Sequence, residues 1–339
     1  MPRLQPTRRR VLAAGASLPL VALRTRPADA AQFTYKLATG QEPSHPVNVG
    51  AQQAIDKIKE RTSGQLVIQL FPAAQLGPDT QLIAQARLGG VQFINMAASV
   101  LATFIPDAGI VNVGFAFLNY DQVWKAMDGG LGKFVSDRIG RTELFLVGRS
   151  WDNGFRQITS SNKPIRAPED LKGFKIRVPS APILTSLFAS LGAAPTSIDF
   201  SEVYTALQTH LVDGQENPLP IIATAKLYEV QKYCSMTGHV WDAYLILGNK
   251  AAFARLPKPM QQIVVEEFSN SGLAERADIA SLSKSLQSQL QSKGMQFITP
   301  DKEAFRATLS KTEFYPNWHR KFGDEGWKLL EAAVGKLGS

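Results

Sequence analysis

Three short runs of the sequence place a fixed charge or an amide where an α/β protein presents its ligand crevice. Arg156 ends the run N-G-F-R, Arg177 stands in the run I-R-V-P, and Asn217 stands in the run D-G-Q-E-N-P. All three positions fall at strand ends or loops of the predicted elements, which border such a crevice. An arginine stays charged at any relevant pH and can grip a carboxylate through two N–H groups, which contributes about 1.5–3 kcal/mol. The three runs therefore predict binding of a small organic acid.

Each of these residues also has a structural alternative. Arg177 and Arg156 could each neutralise a carboxylate of the protein itself, and Asn217 could form the turn before Pro218. The sequence favours the ligand-binding interpretation for Arg177. It leaves both interpretations open for Arg156 and Asn217.

A second group of candidate ligand-binding residues carries aromatic or polar side chains near these runs. Its members are His45, Trp151, Asn153, Tyr204 and Trp241. Aromatic walls commonly line small-molecule pockets, although a large aromatic side chain serves equally well in a core. His45 could instead shape the first loop.

Motifs of catalysis are missing from the sequence. It contains neither a G-x-S-x-G nucleophile elbow nor an H-E-x-x-H pair, and its four histidines are scattered without ligand spacing. Cys234 is the single cysteine, which excludes a disulfide within the chain and a multi-cysteine zinc site. We therefore expect no enzymatic activity, no metal and no cofactor, with a periplasmic enzyme acting on carboxylic acids as the alternative.

Short strand patterns alternate with helical patterns from residue 32 onward. Strand patterns at residues 33–37, 66–71 and 91–96 enclose two amphipathic helical patterns, which predicts a parallel sheet with helices on both faces. The alternation restarts after Trp151. The strand patterns of this second part fall at residues 157–159, 175–178, 236–239 and 244–247.

One helical pattern is much longer than the others. It covers residues 259–293 and includes a single glycine, Gly272. At 1.5 Å per residue such a helix would reach about 50 Å, which exceeds the width of one domain. We therefore predict a helix that lies across two lobes and braces them.

The formal charge of +8 resides mainly at the N-terminus. The run T-R-R-R-V-L precedes an uncharged stretch, residues 11–23, and A-D-A follows at residues 28–30. This order is typical of a secretory signal, and the paired arginines favour the twin-arginine route over an ordinary Sec signal or a buried helix. Cleavage after Ala30 would leave 31 basic and 28 acidic side chains, a net charge of about +3. We therefore expect a periplasmic protein that binds no nucleic acid.

In these runs the chain resembles the solute-binding proteins of tripartite ATP-independent periplasmic (TRAP) transporters, of the DctP type. The resemblance covers nearly all of the chain after residue 30 and also includes the run F-P-A-A-Q-L-G at residues 71–77 and the stretch at residues 228–240. It implies an α/β, two-lobed periplasmic binding protein (type II-like), with hinge strands and a long bridging helix. The expected lobes are residues 31–153 plus 243–282 and residues 154–242 plus 283–339.

The resemblance also implies roles for the three central residues. Arg177 would be the bidentate partner of a ligand carboxylate, Arg156 would add a second positive charge, and Asn217 would donate a hydrogen bond. The expected partners are a small organic acid and the small and large membrane subunits of a TRAP transporter, with the binding protein itself a monomer. A sensor or an ATP-driven importer is the alternative recipient.

The chain departs from many relatives at three positions. Gln81 and Gln92 stand where relatives often carry acids, which leaves the identity of the acid open. Glu216 is followed by Asn217 rather than by the tryptophan of the metal-assisted keto-acid branch, so we expect no metal.

Overall fold

The computed structural model describes Pro2 and residues 31–338, with the side chains of residues 283 and 284 excepted. Apart from Pro2, the predicted export signal at residues 1–30 therefore lies outside the described residues. None of the helices within residues 31–338 has both the length and the apolar composition that crossing a membrane requires.

Strands and helices alternate along the described chain. Its strands are β1 (Phe33–Ala38), β2 (Leu66–Phe71), β3 (Phe93–Ala97), β4 (Leu144–Leu146), β5 (Trp151–Phe155), β6 (Gln157–Ser160), β7 (Lys175–Val178), β8 (Ala194–Ser197), β9 (Gly214–Asn217), β10 (Tyr233–Ser235), β11 (Trp241–Asn249) and β12 (Gln296–Ile298). Its α-helices are α1 (Pro46–Arg61), α2 (Asp79–Leu88), α3 (Ala98–Leu101), α4 (Tyr120–Met127), α5 (Gly130–Ile139), α6 (Pro182–Ser190), α7 (Val203–Gln208), α8 (Leu219–Thr224), α9 (Lys250–Ala254), α10 (Lys258–Ser292), α11 (Lys302–Ser310) and α12 (Phe314–Val334).

The first sheet combines the N-terminal strands with one late strand. β1 lies between β2 and β3 and pairs with both in parallel, because α1 and α2 cross between them. β11 pairs antiparallel with β3, β4 and β5. The parallel βαβαβ arrangement predicted from the alternation of patterns is confirmed.

The second sheet has the strand order β12-β10-β6-β9-β7-β8. β7 pairs in parallel with β8 and β9, whereas β6 pairs antiparallel with β9 and β10. β7 ends at Val178 because Pro179 follows it and has no N–H to donate to a neighbouring strand. Arg177 is thereby held one residue from the carboxyl end of a parallel strand.

Two short segments join the sheets. Arg156 alone separates β5 of the first sheet from β6 of the second, and residues 236–240 join β10 to β11. The predicted strand at residues 236–239 is wrong, because these residues form that second connection. Gly238 has a φ of +54°, and its N–H donates to Gln157 Oε1 at 2.9 Å instead of to a strand partner.

The predicted long helix is confirmed as α10, with 35 residues. It contacts α1 and β5 on the side of the first sheet and α8 and β12 on the side of the second. Its glycine has a packing role: a Cβ on Gly272 would lie 2.7 Å from Nε1 of the buried Trp151. Gly272 therefore allows the helix to approach the strand that leads into the second sheet.

Apolar clusters pack against both sheets. The C-terminal helix α12 packs against α4, α5 and the 3-10 helix at Pro106–Asn112, and also against α6. It therefore contacts elements that lie before and after the Arg156 connection. The division into two lobes at the residues given above stays a prediction.

Candidate functional site

A cavity is lined by residues of both sheets and of the segment that joins them. It contains about 390 Å³ of atom-free space, part of it open to solvent. The sequence-predicted residues that line it are Asn153 on β5, Arg156 at the connection, Arg177 on β7 and Asn217 on β9. These residues come from three separate stretches of the sequence, and the fold brings them together where the two sheets meet.

Arg177 is a buried cation whose charge is not paired. Its Nε and Nη2 groups donate to the backbone oxygen of Ile198 at 2.9 and 2.7 Å, and its side chain is 1% exposed. Within residues 31–338, no carboxylate oxygen lies within 4.0 Å of the guanidinium, and Nη1 makes no hydrogen bond to the protein. Burial lowers the pKa of Arg177 to about 10, because more distant carboxylates offset only part of the loss of solvation.

Arg156 is equally buried but is fully paired. Its Nε donates to Glu216 Oε2 at 2.5 Å and its Nη2 to Glu216 Oε1 at 2.7 Å, a bidentate ion pair. Burial opposes the charge, yet the Glu216 carboxylate raises the pKa of Arg156 above its usual value. Burial likewise acts to raise the pKa of Glu216, but Arg156 and His239 hold it at about 2. The structural alternative for Arg156 is thus present, although the residue also lines the cavity.

The Arg156 pair belongs to a larger polar network at the connection between the sheets. Asp242 on β11 lies 3.4 Å from Arg156 Nη1, accepts from Ser99 Oγ at 2.6 Å and accepts from Asn112 Nδ2 at 2.9 Å. His239 Nε2 lies 3.0 Å from Glu216 Oε2, and burial lowers the pKa of this histidine. The network therefore holds together chain segments that are more than 80 residues apart.

The local backbone conformation explains the glycine of the N-G-F-R run. Gly154 has a φ of +111°, and the register of β5 against β11 shifts between Asp242 and Ala243. A Cβ at this position would also lie 3.3 Å from Pro218 Cβ. A side chain here would strain the backbone that positions Arg156.

The two predicted asparagines share the network and the cavity. Asn217 Oδ1 accepts from Arg156 Nη2 at 3.0 Å, and Asn217 Nδ2 donates to Gln215 Oε1 at 2.5 Å. Asn153 Nδ2 lies 3.5 Å from Asp242 Oδ2, while its Oδ1 is buried without a hydrogen-bond partner in the described chain. Both side chains are thus oriented by charged neighbours beside the cavity.

The other four candidate residues do not line this cavity. Trp151 and Trp241 lie in the apolar cores, and Trp241 Nε1 donates to Asp152 Oδ1 at 2.8 Å. Tyr204 lies beside two outer pockets and donates to Glu229 Oε2 at 2.8 Å. The tryptophans thus occupy core positions, which was the alternative named from the sequence. The alternative for His45 was a loop-shaping role.

His45 precedes the first turn of α1 and caps it. Its Nδ1 accepts from the Val47 N–H at 3.2 Å, and its ring makes an edge contact with Tyr244 at a centroid distance of 5.8 Å. Burial lowers the pKa of His45 to about 3, so the ring is neutral at physiological pH. Its place next to Tyr244 sets it one layer behind a lining residue.

Several lining residues have no counterpart among the sequence candidates. The polar and aromatic ones are Gln41, Asp79, Ser99, Ser180, Asp199, Phe200 and Tyr244. Asp79 is the first residue of α2, after the L-G turn, and this position at a helix start after a strand was a usable signal. Tyr244 carried no such signal, because it stands within an apolar strand pattern.

Gln81 and Gln92, singled out as departures, do not line the cavity. Gln81 is exposed, and Gln92 Oε1, just before the start of β3, accepts from the Lys36 N–H of β1 at 2.9 Å. The nearby acid that does reach the cavity is Asp79. In the described part of the chain, no group of three or more His, Cys, Asp or Glu side chains could hold a metal ion.

Comparison with known proteins identifies the family. Residues 37–319 match the DctP family, bacterial extracellular solute-binding protein, family 7. The chain is 31% identical over 86% of its length to the 2,3-diketo-L-gulonate-binding periplasmic protein YiaO of Escherichia coli, 88% of which is covered. It is 34% identical over 76% of its length to the uncharacterized protein y4mM of Sinorhizobium fredii, and it spans about half, 48%, of that relative.

A solved structure shares the whole fold. The TRAP periplasmic solute-binding protein of Sulfurospirillum deleyianum with bound succinate is 27% identical and superposes with a TM-score of 0.85 over 89% of this chain and 99% of its own. The two-sheet α/β fold, with its cavity at the sheet connection, therefore agrees with the family that these matches indicate. The chain belongs to the DctP family of TRAP transporter solute-binding proteins.

Proposed function

We propose that the protein binds the carboxylate of its ligand with Arg177 in this cavity and transfers the ligand to a TRAP transporter without changing it chemically. The observation that carries the proposal is the unpaired guanidinium of Arg177. Burying a cation without a counterion is costly, so a protein retains one where an anion will bind. The Nη1 group, which has no protein partner among residues 31–338, supplies the donor.

Asn217 and Arg156 complete the proposed carboxylate site. An asparagine amide nitrogen carries two N–H groups, and Gln215 takes one of them. The second N–H can donate to a ligand oxygen. Arg156 donates to Asn217 Oδ1 and so orients this amide. Glu216 neutralises most of the charge of Arg156. Its proposed role is therefore positioning together with a weak long-range attraction.

Binding is proposed to close the cleft between the two predicted lobes. The connections available for a hinge are Arg156, residues 236–240 and α10. A ligand stabilises the closed form only by contacts that the open form lacks. Arg177 and Asn217 come from the second sheet, whereas Asp79 and Tyr244 come from the side of the first sheet, so a ligand that touches both groups favours closure.

The biological setting follows from the family and from residues 1–30. We propose export to the periplasm, cleavage after Ala30, and delivery by the monomer to the small and large membrane subunits of a TRAP transporter. Uptake into vesicles that contain these subunits should require this protein and an ion gradient. A requirement for ATP would instead favour the ATP-driven importer named as an alternative above.

Calorimetric titration tests the binding proposal. Purified protein is titrated with succinate, malate, pyruvate, D-erythronate and gluconate, and we expect at least one acid to bind. Arg177→Met should weaken binding of that acid by about 30-fold or more, because it removes the buried guanidinium that has no counterion within residues 31–338. Arg255→Met, which removes an exposed arginine, is the matched control and should leave the affinity unchanged.

Two results would contradict the proposal. One is an unchanged affinity of Arg177→Met for the acid. The other is chemical conversion of the bound acid, detected by mass spectrometry of the mixture after prolonged incubation, which would favour the enzyme alternative.

A further inference from the structure

The charged side chains that line the cavity can neutralise one anionic group of a ligand. Its arginines are Arg156 and Arg177, and its acids are Asp79 and Asp199. Arg156 is already engaged by Glu216 and lies 3.4 Å from Asp242 Oδ2. Among the described lining residues, only Arg177 therefore offers a cation to a ligand.

The lining from the side of the first sheet is rich in hydrogen-bond acceptors. Gln41 Oε1 and Asn153 Oδ1 are buried without a partner in the described chain, and Asp79 adds a carboxylate. Tyr244 Oη is also buried without a partner there and can accept or donate. A buried polar atom without a hydrogen-bond partner costs free energy, so these acceptors are best matched by hydrogen-bond donors on the ligand.

A carboxylate supplies no donor, whereas a hydroxyl group supplies one donor and can also accept. The part of the ligand that meets Gln41, Asp79 and Asn153 is therefore best matched by hydroxyl groups. A second carboxylate in the same place would meet these acceptors and the negative charges of Asp79 and Asp199. The cavity thus discriminates against a second carboxylate on the ligand.

We propose that the ligand is a polyhydroxylated acid with a single carboxylate, and that Asp79 and Tyr244 select its hydroxyl groups. This inference rests on the proposed function, since it assumes that Arg177 binds the carboxylate. Burial raises the pKa of Asp79 to about 7, and the Asp199 charge adds to this rise while Arg177 opposes it.

Acids of matched chain length test the inference. Calorimetric titration compares butanoate, succinate and D-erythronate, which have four carbons, and hexanoate, adipate and gluconate, which have six. We expect the hydroxylated monoacid of at least one length to bind about tenfold or more tighter than both the plain monoacid and the diacid of that length. Equal or tighter binding of the diacid, or exclusive binding of acids without hydroxyl groups, would overturn the inference. Binding of no acid at all would contradict the proposed function itself.

Variants locate the selectivity. Asp79→Asn and Tyr244→Phe should each lower the ratio of hydroxy-acid affinity to diacid affinity by about fivefold or more. The ratio is measured within one variant, so a partial loss of folded protein does not alter it. Gln81→Glu, which places an acid on the exposed face of the same helix, is the matched control and should preserve the ratio. An unchanged ratio in Asp79→Asn and Tyr244→Phe would exclude these residues as the selecting groups.

Discussion

Arg156 and Arg177 line the same cavity and are buried to nearly the same extent, yet their electrostatic surroundings are opposite. Glu216 neutralises Arg156 through two hydrogen bonds, and this carboxylate raises the pKa of that arginine. Arg177 holds only a backbone oxygen, and burial lowers its pKa to about 10. Burial of an arginine in a pocket therefore does not by itself indicate a ligand contact, and the absence of a counterion is what supports the proposed role of Arg177.

The same contrast separates two regions of the molecule. Around Arg156, the connection between the sheets is a closed polar network in which each charge has a counterion or several hydrogen-bond donors. Around Arg177, at the end of β7, one positive charge has no counterion within residues 31–338 and is proposed to bind a ligand. The first region should govern stability and the second should govern binding, and the following experiments separate these contributions.

The largest effect is expected from breaking the paired region. Glu216→Gln leaves Arg156 buried beside a neutral amide and should lower the free energy of unfolding by about 3–5 kcal/mol. Urea denaturation followed by circular dichroism measures this change. Glu266→Gln, which breaks an exposed pair with Arg61, should lower it by less than about 1 kcal/mol. Equal effects of the two substitutions would refute the distinction between buried and exposed pairs.

The next effect depends on pH and concerns His45, which is buried without a counterion but is neutral. Because its folded-state pKa is lowered to about 3, the unfolded chain takes up a proton below about pH 6.5 that the folded chain does not. This histidine's contribution to stability is therefore complete above pH 6.5 and is lost as the pH falls toward 3. The slope for one proton is up to about 1.4 kcal/mol per pH unit.

His45→Asn keeps a helix-capping side chain and removes the titration. We expect its free energy of unfolding to fall less steeply than that of the wild type between pH 6.5 and 4. At pH 7.5 the two proteins should be of similar stability. Parallel slopes in urea titrations at these pH values would show that His45 does not stay neutral in the folded chain.

Arg177→Met, which should weaken binding most, is expected to have a smaller effect on stability. Arg177→Met removes hydrogen bonds to one backbone oxygen but also removes an unpaired buried charge. These contributions oppose each other, so the free energy of unfolding without ligand should stay within about 1 kcal/mol of the wild type or rise. A loss as large as that of Glu216→Gln would place Arg177 in the structural network instead.

The smallest effect is expected at Tyr204, an aromatic candidate that lies outside the cavity. Tyr204→Phe removes one hydrogen bond to Glu229 near the surface and should change the free energy of unfolding by less than about 1 kcal/mol. The affinity for the bound acid should not change. A weakened affinity in a calorimetric titration would extend the site from the cavity toward the pocket beside Tyr204.

Local patterns in the sequence predict much of the scaffold of this protein. The alternation of strand and helix patterns, the 35-residue helix α10 and the place of Arg177 near the end of β7 all depend on residues close together along the chain. Apolar periodicity and proline at strand and helix ends act over a few residues, so they can be interpreted without a structure. The error at residues 236–239 is of the same local kind, because the short run M-T-G-H does not distinguish a strand from an extended connection.

Charge pairing was decided only by the tertiary structure. Arg156 meets Glu216 across 60 residues and Asp242 across 86, and no local pattern indicates which carboxylate an arginine will reach. The fold also brings Tyr244 and Asp79 to the wall of the cavity, and it buries Trp151 and Trp241 in the cores. The sequence by itself determined that two arginines were available for an acid. The tertiary structure decided which of them is left unpaired, because the pKa and the partners of a buried charge depend on neighbours that are distant in sequence.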